Sequence, residues 1–99
     1  MKTPETKADF FKLIQSMELR ERFCFPLINQ DENQHFLEVY AGHYPGAKLG
    51  EDDITILFQS VDILGKFDKT IHKKQSSIRR RLNESDSLFD HVWGLISEN

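Results

Sequence analysis

The side chains best able to do chemistry are scattered, and their spacing is the first thing to test. Glu32-Asn33-Gln34-His35 is a Glu-x-x-His pair, with Glu38 three residues on and His43 beyond. On a helix such a pair aims a carboxylate and an imidazole the same way, as carboxylate metal sites in helical bundles do. Those sites need the motif twice and further glutamates, and here it occurs once, so no metal is expected. Asp90 and His91 are sequence neighbours, and adjacent helical residues do not face each other. Cys24 is the single cysteine, which excludes an internal disulfide; flanked by Phe23 and Phe25, it reads as a buried, inert thiol. Glu51-Asp52-Asp53 reads as helix-start chemistry. There is no Gly-rich phosphate loop, nucleophile elbow or His-Glu-x-x-His. The expectation is a protein that is not an enzyme and takes no cofactor.

Charge gives the stronger signal. Between Lys66 and Arg81 lie Lys66, Lys69, Lys73, Lys74, Arg79, Arg80 and Arg81, with Asp68 the single acid, a net +6. The other 83 residues hold six Lys/Arg and fifteen Asp/Glu, a net −9. Such an uneven field bears on partner choice. On a helix, Lys66, Lys69, Lys73 and Arg80 share one side, opposite Phe67, Ile71, Ile78 and Leu82. The basic side would meet phosphates or an acidic protein. The preceding helix and Gly-containing turn of a helix-turn-helix are missing, and no aromatic on the basic side offers base stacking.

The elements that must position these residues read as helical throughout. Thr3-Pro4-Glu5 or the box Thr6–Asp9 opens a first helix carrying Phe10, Leu13, Ile14 and Met17, which runs to somewhere between Met17 and Phe23 and must end or kink at Pro26. A second helix is expected from near Asp31, carrying Phe36, Leu37, Val39 and Tyr40, with a loop from Gly42 to Gly50 after it. A third, over 52–83 and breakable at Gly65, carries Leu57, Leu64, Ile71 and Ile78 at seven-residue spacing, with Val61 and Leu82 beside them. Ile54–Phe58 has strand-type residues, but acidic residues ahead and helical spacing behind favour helix. A last helix from Ser85 or Ser87 carries Phe89, Val92, Trp93 and Ile96.

These readings give one all-α domain over residues 1–99, a compact bundle of four to five helices with a long third helix. Phe10, Ile14, Leu37, Leu57, Leu64, Phe89 and Trp93 are its expected core. An unbroken third helix of ~48 Å would overhang a compact domain, leaving Ile71, Ile78 and Leu82 to be covered by a second copy as a homodimer. No apolar run approaches the ~20 residues of a membrane span and no leader is visible, so a cytoplasmic protein without a membrane partner is expected. The expected function is a small regulatory or adaptor protein acting through contact with a protein partner. The alternative is a dimeric nucleic-acid-binding regulator using the basic helix Lys66–Arg81.

Overall fold

The computed structural model describes residues 2–28, 35–43, 53–67 and 75–97. In chain order these form α1 (Lys7–Gln15), β1 (Arg22–Pro26), β2 (His35–Gly42), β3 (Thr55–Asp62), β4 (Gln75–Ile78), a single 3-10 turn (Arg79–Arg81) and α2 (Ser87–Ile96). The strands pair antiparallel in sequence order, β1-β2-β3-β4, as a meander. A mixed α and β architecture therefore replaces the helical bundle the spacing predicts, and the described residues contain two α-helices.

The correction falls on the middle of the chain. In place of the second helix stands β2, with Leu37, Val39 and Ala41 pointing one way and Phe36, Glu38 and Tyr40 the other. In place of the helix over 52–83 stand β3, β4 and the 3-10 turn. Thr, Ile, Phe and Val crowd their χ1 angles in a helix and suit a pleated surface, and over Thr55–Asp62 this preference outweighs a seven-residue apolar repeat. Asp62 ends β3 in a turn in which its backbone N–H donates to Lys66 O (2.8 Å) and its Oδ1 accepts from the backbone N–H of Leu64 and of Lys66 (2.9 Å each). Gly65 takes φ +80° there, a conformation that suits glycine. So Gly65 closes a hairpin turn rather than breaking a helix.

Both helices pack on one face of the sheet. Phe10 and Ile14 of α1 and Phe89, Val92, Trp93 and Ile96 of α2 are buried against Phe25, Leu37, Val39, Ala41, Ile56 and Phe58. Phe10 is the hub, with ring centroids 5.6 Å from Phe25, 5.2 Å from Phe89 and 5.5 Å from Trp93. Aromatic pairs at these separations add to the stabilisation from burial. Thr6 caps α1, its Oγ1 accepting from the Asp9 N–H at 3.0 Å. Asp86 occupies the N-cap position of α2, but its carboxylate accepts from the backbone N–H of Asn83 at 3.0 Å instead. Lys7 joins the helices through Asp90 (3.1 Å). Of the expected core, Phe10, Ile14, Leu37, Phe89 and Trp93 are buried, Leu57 is half-buried, and Leu64 is 76% exposed at the hairpin tip. No described helix is long and apolar enough to cross a membrane.

Candidate functional site

With both helices on one side, the opposite face of the sheet carries Cys24, Phe36, Glu38, Tyr40, Leu57, Gln59, Val61 and Ile78 at its outward register positions. Val61 is buried, although it lies outside the helix-side core. Its neighbour across the hairpin is Phe67, which pairs with it and is 40% exposed. Ile63 (70% exposed) and Leu64 (76%) project from the turn beside this face. The turn's hydrogen bonds fix where both side chains emerge.

Glu38 sits at the centre, opposite Cys24 on one neighbouring strand and Gln59 on the other. It is only 7% exposed. Gln59 Nε2 donates to Glu38 Oε1 at 2.6 Å, and Arg22 Nε lies 3.5 Å from Oε2. The Arg22 guanidinium also lies over the Tyr40 ring, 5.3 Å from its centroid. Burial, and secondarily the nearby Glu38 charge, push the Cys24 thiol above its ordinary pKa, with Arg22 pulling the other way. The sequence reading of a buried thiol is corrected here: Cys24 is half-buried on the open face rather than in the core. An open pocket of about 240 Å³ lies over Cys24, Phe36, Glu38, Val61, Asp62 and Ile63.

The described cations of the basic strip lie at two places. Lys66 is exposed in the turn after β3, and Arg79 donates its backbone N–H to Ile54 O (2.8 Å), just before β3. Eight residues of strand, roughly 23 Å, separate those two places. Arg79 also donates from its guanidinium to the Met17 carbonyl, and its own carbonyl accepts from Gln15 Nε2 at 3.2 Å. Arg80 pairs with buried Asp53 at 2.7 Å, with a second contact at 3.2 Å. Arg79 and Arg80 therefore fasten the 3-10 turn to its neighbours, while Arg81 is exposed. Lys69, Lys73 and Lys74 lie outside the described residues.

The expected self-association residues Ile71, Ile78 and Leu82 are described only in part. Ile71 lies outside the described residues, Ile78 is half-buried on the open face opposite Thr55, and Leu82 is buried in the core at 5% exposure. Leu82 follows the 3-10 turn and packs inward, so it is not available to a second copy. For the Glu-x-x-His pair, Glu32 is outside the described residues and His35 opens a strand, not a helix. Among the described residues no three His, Cys, Asp or Glu side chains group as a metal site. Asp53 is paired with Arg80, and Glu51 and Asp52 are outside the described residues.

Compared with known proteins, the chain matches no family model, no curated protein and no solved structure.

Sequence reasoning missed the open face because it read β2 as a helix. The sequence carried little signal for it: Leu37, Val39 and Ala41 alternate with Phe36, Glu38 and Tyr40, but Phe36 and Tyr40 are aromatic, so no apolar–polar period of two stands out.

Proposed function

We propose that this protein is a small non-enzymatic regulatory or adaptor module of the cytoplasm that docks a protein partner on the open face of its sheet. One observation carries the reading. Half-buried Phe36 with the exposed Ile63, Leu64 and Phe67 at one end of the face, and half-buried Tyr40, Leu57 and Ile78 at the other, flank the polar pair Glu38 and Gln59, with neither described helix over them. Exposed and half-buried apolar side chains around polar groups held at fixed positions are the usual composition of a docking patch. A partner there removes that surface from water at roughly 25 cal/mol per Å² before the costs of association.

Leu57→Asp and Lys12→Glu test the proposal as a pair, one on the open face and one on an exposed turn of α1. Each is compared with the parent protein for circular dichroism and for proteins captured from the source cell. The expected outcome is unchanged spectra, with captured partners lost from Leu57→Asp and kept by Lys12→Glu. Equal capture by both variants overturns the assignment of the face. Sedimentation equilibrium of the parent protein separates a foreign partner from a second copy. The nucleic-acid alternative loses its basic helix, and two of its seven cations hold the turn in place.

A further inference from the structure

Glu38 is an anomaly among the side chains of the open face. A carboxylate offers about four acceptor positions and, taken out of water, needs donors to fill them. Glu38 is nine-tenths buried, yet among the described residues it receives one amide hydrogen bond, from Gln59 at 2.6 Å. Its other oxygen has Arg22 Nε at 3.5 Å, beyond the usual range for a charge-assisted bond. Arg22 is itself engaged over the Tyr40 ring. A buried carboxylate with acceptor capacity to spare therefore forms part of the lining of an open pocket.

Building on the docking role proposed above, we infer that this pocket receives a lysine or arginine side chain, presented by the protein partner between apolar residues. Three features select that occupant. The volume, about 240 Å³, is below the ~300 Å³ at which small-molecule sites begin, and suits one long side chain. Phe36, Val61 and Ile63 provide apolar walls for an alkyl stem, leaving the cationic head to meet Glu38. Ile63 on the lining is 70% exposed, and the exposed Leu64 follows it in the chain, so apolar residues flanking the cation have apolar side chains to pack against. Such a charged anchor inside a water-excluding apolar ring is the arrangement of a binding hot spot.

Cys24 lies in the pocket and is the single cysteine of the chain, so its alkylation by N-ethylmaleimide reports occupancy. The probes are acetyl-Leu-Arg-Leu-amide, acetyl-Leu-Gln-Leu-amide and acetyl-arginine amide, titrated against the intact protein. The expected result is saturable protection by the first, with at least tenfold weaker protection by each of the others. Glu38→Gln should abolish the preference for the arginine peptide over the glutamine peptide while leaving the melting temperature close to that of the parent. Equal protection by the two peptides would overturn the inference, since the face would then read apolar groups alone. Equal protection by acetyl-arginine amide would also overturn it, in favour of a site for a free small cation. The two-peptide comparison on the parent protein decides the matter even where Glu38→Gln fails to fold. Absence of protection by every probe, alongside partner capture that Leu57→Asp destroys, would remove the cation site and leave the docking face intact.

Discussion

Cys24 and Glu38 face each other across β1 and β2, and each changes what the other can do. The thiol is held above its ordinary pKa, chiefly by burial and then by the Glu38 charge. Its thiolate is thus disfavoured in the folded chain relative to the unfolded one. The sign follows from linkage: a raised folded pKa gives stability that is present below the unfolded value, about 8.5, and lost as pH rises through the folded value. Two outcomes are expected. Alkylation of Cys24 should gain rate at higher pH in the folded protein than in urea. The parent should also lose stability relative to Cys24→Ser as pH climbs above ~8.5. Superimposed pH–rate curves in the folded and unfolded states would show that Glu38 and the burial do not act on the thiol. Phe23 and Phe25 suggested burial of Cys24, which is only partial, and its place beside a carboxylate was not legible. That neighbour arrives through strand register, fourteen residues further along the chain.

At the scale of elements, the two ends of the chain were readable and the middle was not. Phe10 and Ile14, and Phe89, Val92, Trp93 and Ile96, recur at helical spacing because one face of each helix meets the sheet. Leu57, Leu64 and Ile78, the described members of the heptad, have no common structural cause. Leu57 faces outward on β3, Leu64 caps a hairpin, and Ile78 ends an edge strand. A strand with apolar residues on both faces loses its period-two signal, so a helical template can be matched to it by coincidence. The two leucine and phenylalanine positions that separate these readings make a sharp comparison. Leu64→Ala should change unfolding free energy by no more than about 0.5 kcal/mol, because an exposed side chain leaves no cavity. Phe89→Ala, which empties a fully buried site against Phe10 and Phe11, should cost ~3–5 kcal/mol. Urea denaturation measures both. A loss above 2 kcal/mol for Leu64→Ala would restore the helical seam and remove the hairpin.

For the whole molecule, the meander decides how charge and stability are distributed. Among the described cations of the strip, folding sets Lys66 beyond one end of β3 and Arg79–Arg81 beyond the other, and it turns Arg79 and Arg80 into fasteners. No linear reading of charge could anticipate that, because the division depends on where β3 lies between them. Cooperativity follows the same plan. β2 and β3 share eight residue pairs, and β2 and β3 are each flanked by strands on both sides. β4 is an edge strand with four pairs, and β1 is the other edge with five. β1 ends at Pro26, whose missing N–H suits an edge. The amides of Leu37–Ala41 and Ile56–Ser60 should therefore exchange only through global unfolding, while those of Gln75–Ile78 open locally at much lower free energy. Native-state hydrogen exchange read residue by residue gives the ranking. Protection of β4 equal to that of β2 and β3 would mean that the edge is covered by something other than its own four pairs. Slowest exchange in α1 and α2, with β2 and β3 open, would put the stable nucleus in the helices and overturn the sheet-centred fold.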